Sequence, residues 1–405
     1  MKRVQVISLL LLASQISFAD ENIFDKNLDY EAAKTEFKNL QSDRKINRST
    51  FYPKLNIVTG IGSEYTRDKT ETEKGGMLYL DSKINLYNGF KDYNLLSKNR
   101  NQLNKANAQK EMTLIKIKND VYKKFQEINT IQEQNNLIKT ELENNKNQSN
   151  WALKKVNAGL TSNAELMDFQ IKQTNLENEI SINELKLKEL ENELKQLFNS
   201  EKSADLTLED AKKVYSVLTD KLTMKNPSEN SLTQKVLIAD LKIAEDELKA
   251  SKSGYYPSLD LEAKAGTITP SHSLLKDKTE HQIALTLTIP IFSGFETKAE
   301  SQKALNEKTQ KEKELRSYQV NLNSNIELDK KRIELNKLLL KGQEEMLAKS
   351  IKFYDQTINE YKRGIKNSSE LISASDRVLE TRKKILELKA EINSRILDFN
   401  NAYVD

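Results

Sequence analysis

Few residues in this chain are able to do chemistry. Its 405 residues include no cysteine and only two histidines, His272 and His281. A disulfide, a thiolate metal site and a cysteine nucleophile are therefore excluded, and two histidines in or beside one predicted hairpin loop are too few for zinc. No G-x-S-x-G elbow, G-x-x-x-x-G-K-[ST] loop or G-x-G-x-x-G turn occurs, so no nucleotide or acyl-transfer chemistry is expected. No catalytic, cofactor-binding or metal-binding residue is assigned, and the chain reads as neither an enzyme nor a cofactor carrier. The 64 Lys and Arg stand against 60 Asp and Glu, a net charge of +4, and their interspersion excludes the basic footprint of a nucleic-acid binder. Two carboxylates stand out because their setting repeats. Glu165 and Glu370 each follow a glycine, Gly159 and Gly364, by six residues. A helix amino terminus favours a carboxylate there, with Asn163 and Ser368 or Ser369 as candidate caps.

The elements that carry these residues follow from sparse punctuation. With 11 glycines, 5 prolines, 31% charged and 37% hydrophobic residues, the composition is turn-poor and argues against two or three compact globular domains. The few Gly and Pro residues mark the corners of the chain. Tyr52-Pro53-x-Leu55 recurs as Tyr256-Pro257-x-Leu259, Gly62 as Gly266, Asn88-Gly89-Phe90 as Ser293-Gly294-Phe295, and Gly159…Glu165-Leu166 as Gly364…Glu370-Leu371, each pair offset by 204 or 205. The chain is therefore a tandem of two copies, 20–226 and 227–405, joined near Pro227.

Residues 1–19 read as a secretory signal. Lys2 and Arg3 precede the apolar run Val4–Ala13, and Ser17-Phe18-Ala19 supplies small residues at the −3 and −1 positions of a cleavage site. The apolar run is shorter than the roughly 20 residues of a spanning helix.

Within each copy the hydrophobic period changes at the markers. Leu55, Ile57, Ile61 and Tyr65 alternate, as do Leu78, Leu80, Ile84 and Leu86. In the second copy Leu259, Leu261, Ala263 and Ala265 give one strand, and Ile283, Leu285, Leu287, Ile289 and Ile291 its partner. Period two predicts β-hairpins over about 54–88 and 258–292. Their intervening faces carry Asp260, Glu262, Lys264, Gln282, Thr286 and Thr288. One apolar and one polar face suits a strand spanning a bilayer, and equally an amphipathic hairpin packed on a soluble core.

Helical spacing takes over after each hairpin. Leu114, Ile117, Val121, Phe125, Ile128 and Ile131 lie on one stripe of a helix predicted over 90–158, and Leu315, Tyr318, Leu322, Ile326 and Ile333 on one over 295–361. At 1.5 Å per residue each is a rod of roughly 100 Å. The returning helices, 164–198 and 368–401, reach about half as far, and helices over about 24–50 and 229–252 supply the missing length if stacked on them. A segment over 199–226 has no full counterpart in the second copy. Four strands leave open edges, which hydrocarbon does not permit, so strands in a membrane demand an oligomer.

The set Phe51-Tyr52-Pro53, Leu86-Tyr87-Asn88-Gly89-Phe90, Tyr256-Pro257 and Ile289-Pro290-Ile291-Phe292-Ser293-Gly294-Phe295 resembles the TolC family of outer-membrane efflux proteins. So do the turns Val156-Asn157-Ala158-Gly159-Leu160 and Tyr361-Lys362-Arg363-Gly364-Ile365, and the similarity runs from about 24 to 402 with both repeats in order. The resemblance implies a mainly α fold with a membrane β-barrel. It implies a homotrimer in which each protomer gives four strands to a shared 12-stranded barrel and long coiled-coil helices to a periplasmic α-barrel. Pro53, Gly89, Pro257 and Gly294 would mark the strand-helix junctions, and 199–226 an equatorial belt. It also implies a passive outer-membrane exit duct for efflux or type I secretion, extending into the periplasm. Its partners would be outer-membrane lipid, a periplasmic adaptor and an inner-membrane pump of the RND, ABC or MFS type, without nucleic acid.

By the same resemblance Gly159 and Gly364 lie in the tip turns, and the periplasmic gate comprises Tyr361, Lys366, Glu165 and Glu370. Tyr361 and Lys366 would donate to the Glu165 carboxylate, and Glu370 would form an acidic ring in the lumen. Lys366 replaces a common arginine and Ser373 a common second ring acid, which implies a looser lock and a weaker negative constriction. The helix-cap reading of Glu165 and Glu370 is compatible with the gate. Trp151 reads as a helix-packing residue. The alternative function is a secreted periplasmic coiled-coil or adaptor protein with soluble hairpins.

Overall fold

The computed structural model describes residues 24–64, 73–199, 204–220, 222–227, 231–271 and 279–404. Residues 1–19, read from the sequence as a secretory signal, together with Tyr65, the hairpin loops and His272, lie outside the described residues. The elements in order are α1 (Leu28–Ser49), β1 (Lys54–Glu64), β2 (Glu73–Asn88), α2 (Lys91–Asn157), α3 (Asn163–Phe198), α4 (Ala204–Asp220), α5 (Leu232–Ser251), β3 (Ser258–Ser271), β4 (Glu280–Thr288), α6 (Glu296–Lys362) and α7 (Ser368–Tyr403). A 3-10 turn, Lys252–Tyr255, leads into β3. Tandem duplication is visible in the lengths: α2 and α6 each have 67 residues, and α3 and α7 each have 36. Among the described residues no helix is long and apolar enough to cross a membrane.

Two compact units divide the chain. One gathers Ala33–Lys110 and Leu232–Val320, the other Glu111–Ser231 and Asn321–Asp405 with the residues up to Ala32.

The first unit holds one antiparallel sheet in the order β1-β2-β3-β4. Registered pairs share a face, so Leu80 opposite Ala265, Ile84 opposite Leu261, Leu261 opposite Leu285 and Leu259 opposite Leu287 build an apolar surface. Asp81 opposite Lys264, Lys83 opposite Glu262 and Asn85 opposite Asp260 build a polar one. There Asn85 Nδ2 donates to Asp260 Oδ1 at 3.0 Å and Lys264 pairs with Glu262 at 2.8 Å. The apolar side chains are not covered: Ile57 is 77% exposed and Ile283 79%. The outer edges of β1 and β4 have no strand beside them among the described residues.

Alternation predicts Ile289 and Ile291 in the last strand, but β4 ends at Thr288. Pro290 has no backbone N–H to give to a ladder, so pairing stops before it. The equivalent stretch of β2 stays paired but is irregular between Asn85 and Tyr87. That shift puts Ile84 and Tyr87, three residues apart, opposite Leu261 and Leu259 on the same face.

The second unit is a bundle of α2, α3, α4, α6 and α7. Ile117, Val121, Phe125, Ile128 and Ile131 of α2 pack with Leu190, Leu194 and Phe198 of α3 and Ala211 and Val214 of α4. The predicted stripe of α2 is therefore the buried one, at roughly 1.5–3 kcal/mol per buried large side chain. Segment 199–226 contributes the 17-residue α4, and Tyr215 stacks on Tyr122 of α2 at 4.8 Å. Ile333 of α6 packs with Ile392, Ile396 and Phe399 of α7.

Candidate functional site

The two helix-to-helix turns end in the same way because the same residue types recur. Leu160 N–H donates to the Lys155 carbonyl and Gly159 N–H to that of Val156, both at 2.9 Å; Ile365 and Gly364 repeat this on Glu360 and Tyr361 at 2.9 and 3.0 Å. This pair of hydrogen bonds closes a helix only if the residue after the cap is left-handed. Gly159 has φ 71° and Gly364 φ 78°, with open space where a Cβ would stand, so backbone conformation alone selects glycine. Leu160 and Ile365 are left 77% and 68% exposed.

The returning helices start differently from each other. The caps are Ser162, one residue before the candidate Asn163, and Asn367, one and two residues before the candidates Ser368 and Ser369. Glu370 N–H donates to Asn367 Oδ1 at 3.0 Å and Asn367 N–H to Glu370 Oε2 at 3.1 Å. Glu370 is thus held by a capping box. Ser162 makes no side-chain cap bond, and the Glu165 carboxylate has a partner at the other turn.

That partner is Tyr361. Its ring is fully buried with Ala152, Phe169 and Leu371, and its hydroxyl donates to Glu165 Oε2 at 3.3 Å. Burial, and then the Glu165 carboxylate, push the Tyr361 hydroxyl well above the usual tyrosine range, so it remains a donor at all physiological pH. Beside it Ser368 Oγ donates to Asp168 Oδ2 at 2.6 Å. Tyr361 and Glu165 are therefore brought together across the two turns.

Lys366 is not part of that pair. Its ammonium lies 3.3 Å from Glu360, in the last turn of α6, and 5.1 Å from the Phe353 ring. The cation at Tyr361 is Lys155, which donates to the Tyr361 carbonyl at 2.6 Å and stands 3.8 Å from the ring centroid. Lys366 lies in the turn that follows α6, and its ion pair is with a carboxylate of its own hairpin. Lys155 reaches across because the last turn of α2 packs on Tyr361. The sequence signal for Lys155 is weak: a cation in a helix's last turn, which the dipole favours anyway. Trp151 packs as expected, with Lys362 4.3 Å above its ring.

Further from the turns is a buried polar layer that periodicity does not reveal. Lys172 is 6% exposed and pairs with Glu141, to which Ser375 Oγ also donates, and with Asp376 at 3.1 Å. Asn145 Nδ2 donates to the Phe169 carbonyl and Gln148 Nε2 to Tyr354 Oη, both at 2.9 Å. Burial first, then the Glu141 carboxylate, raises the Tyr354 hydroxyl. Seven residues after Lys172 and Asp376, Glu179 pairs with Lys383 at 2.6 Å. Like positions of the two repeats thus face each other across α3 and α7. Among the described residues no group of acidic or histidine side chains is placed to hold a metal.

At the strand-helix junctions, Pro53 and Pro257 immediately precede β1 and β3. Gly89 and Gly294 have φ 64° and 61°, each followed by a left-handed phenylalanine, Phe90 at 62° and Phe295 at 67°. Phe90 meets Tyr87 edge-on at 5.2 Å and Phe295 meets Phe292 at 5.4 Å.

Residues 21–200 and 228–397 match the family model described as outer membrane efflux protein. No curated protein sequence matches the chain significantly. Among solved structures, that of CusC superposes with a TM-score of 0.82 at 14% identity, over 95% of this chain and 91% of that one. The outer membrane protein VceC of Vibrio cholerae gives 0.80 at 12%, over 96% of each chain. The CmeC outer membrane channel of Campylobacter jejuni gives 0.76 at 14%, over 95% of this chain and 85% of that one.

Proposed function

We propose that this chain, which belongs to the outer membrane efflux protein family, is one of three identical subunits of a passive exit duct. As a member of a channel family it is an outer-membrane protein and not an enzyme. In this reading the four strands of each subunit join those of two others in one closed barrel, apolar face to lipid and polar face to lumen. The helices continue the passage into the periplasm. A periplasmic adaptor and an inner-membrane pump deliver and select the cargo, in efflux or in type I secretion.

The observation that carries this reading is the four-stranded sheet with one exposed apolar face and two open edges. In water such a sheet exposes Ile57, Ile283, Leu285 and Leu287 at 60–79%. In lipid that face is favourable, and only closure with further strands satisfies the edge backbone groups.

The two turns are the proposed gate. Tyr361 bonded to Glu165, with Lys155 on the Tyr361 carbonyl and Ser368 on Asp168, ties the two helical hairpins of one subunit together at their ends. Glu370, exposed beside its turn, is the proposed ring acid: three copies facing a narrow lumen favour cations. Lys366 acts from the rim through Glu360. Outer-membrane fractionation with chemical cross-linking, followed by planar-bilayer recording, tests the whole reading. Trimeric, membrane-bound protein that conducts is expected; a soluble monomer overturns it.

A further inference from the structure

The helical part of the first unit has two sides that differ in charge. A groove of about 630 Å³ marks one of them, lined by Leu95 and Lys98 of α2, Ala244 and Glu247 of α5, and Glu300 and Lys303 of α6. Charge is balanced there: Lys98 pairs with Glu247, and Lys105 with Asp240 at 2.8 Å. Tyr93 and Arg100 on α2, Lys242 and Lys249 on α5, and Lys298 on α6 each stand two residues from one of these groove residues and five from the other. At about 100° per residue both spacings are close to half a turn, so all five lie on the opposite side.

The tandem repeat extends that side to α1. At an offset of 204, Lys242, Lys249 and Lys252 become Lys38, Lys45 and Arg48, while the acids Glu245 and Asp246 become Gln41 and Ser42. All these cations are exposed, and among the described residues only Lys249 is in an ion pair, 3.8 Å from Asp246. Asp246 is itself buried and accepts from Asn101 Nδ2 at 2.8 Å. The side away from the groove is therefore a cationic face.

Its position points it to lipid. Lys45, Arg48, Lys249 and Lys298 lie within about 6 Å of the helix ends that adjoin the sheet, and Lys38, Lys242 and Arg100 within about 17 Å. Headgroups reach about 5–8 Å beyond the hydrocarbon, and charge acts over roughly a further 8 Å. Aromatic rings mark the same side. Tyr87, on the apolar sheet face, meets Phe90 edge-on at 5.2 Å, and Tyr93 is 67% exposed among the cations, as rings at a membrane-water boundary are.

We propose that this face is a cationic collar that holds anionic phospholipid headgroups, of the phosphatidylglycerol class, in the leaflet next to the periplasm. An unpaired ammonium or guanidinium near a phosphodiester of net negative charge gains more than it does near a zwitterionic headgroup. This rests on the reading of the strands as membrane-spanning, and adds to it which lipid the helices beneath them recruit.

Detergent-solubilised protein offered equal phosphatidylglycerol and phosphatidylethanolamine, with the lipid on the intact oligomer read by native mass spectrometry, tests this. Wild type is expected to retain phosphatidylglycerol in preference. Lys45→Gln/Arg48→Gln/Lys249→Gln/Lys298→Gln is expected to lose that retention about tenfold. Each half of the set, Lys45→Gln/Arg48→Gln or Lys249→Gln/Lys298→Gln, is expected to lose about threefold, which reads the collar even if the fourfold variant does not assemble. Lys91→Gln/Lys303→Gln, on the groove side, is expected to keep it. The reversal potential in a salt gradient is expected to be the same in wild type and variants. Retention unchanged in the collar variants, or lost equally from the groove-side pair, overturns the collar. A reversal potential shifted towards cations puts the face in the lumen and overturns it too, as does loss of binding to purified cell-wall sacculi with lipid unchanged. In each of these the duct reading stands, whereas a wild type that is monomeric and does not conduct overturns both.

Discussion

Lys155 holds Tyr361 twice, by a 2.6 Å hydrogen bond to its carbonyl and by an ammonium 3.8 Å from its ring centroid. The basic partner of the buried tyrosine therefore comes from the end of α2, on the other helical hairpin. Replacing Tyr361 by Phe and Lys155 by Ser should raise single-channel conductance in planar bilayers more than Tyr361→Phe with Lys366→Ser. Equal conductance in all three proteins would remove the turns from the closed gate.

The Glu141–Lys172 pair, with Ser375 and Asp376, joins α2, α3 and α7. Lys172→Met strands a buried carboxylate and should cost about 3–5 kcal/mol, read by denaturant unfolding of the helical signal. Adding Glu141→Leu removes the stranded charge and should restore at least half of that. A double variant no more stable than the single one would show that the carboxylate is not the cause.

The two sheet faces predict opposite tolerance along β4. Leu285→Lys puts a charge on the apolar face and should impair membrane assembly by about 2–4 kcal/mol near the bilayer midplane. Thr286→Lys, one residue on and opposite Asp260, should assemble with much smaller loss, measured as heat-stable oligomer on gels. Reversed tolerance would place the lumen on the other face.

Burial pushes the Tyr122 hydroxyl up to about 12 from its usual 10.0. The folded state then keeps a proton that the unfolded chain releases above pH 10. This stability is fully present below pH 10 and is lost as pH rises towards 12, on the order of 2 kcal/mol across that window. Tyr122→Phe should flatten that part of the alkaline unfolding curve and leave neutral stability little changed. An unaltered alkaline slope would assign the loss to another group.

Much of the fold was legible because it is written in local period and in punctuation. Alternation from Leu55 and from Leu259 marks strands, since successive strand side chains point to opposite faces, and the stripe from Ile117 to Ile131 marks a helix. The repeat at 204 or 205 placed Gly159 and Gly364 in like turns, where a left-handed residue must close each helix. Alternation misled where it ran through Pro290, because side-chain pattern says nothing about a missing N–H, and at Leu86, where the register shift puts Tyr87 on the face of Ile84 instead.

Which side chains meet across helices was decided by tertiary structure alone. Glu165 and Tyr361 are 196 residues apart, and the choice of Lys155 over Lys366 turns on how α2 packs against α6. The Glu141–Lys172–Ser375 layer was illegible too: a charged residue among many charged residues shows its burial only once neighbouring helices cover it. Local sequence specifies which face each element presents, whereas the partner of that face is set by helix crossing and register, which no short stretch of chain contains.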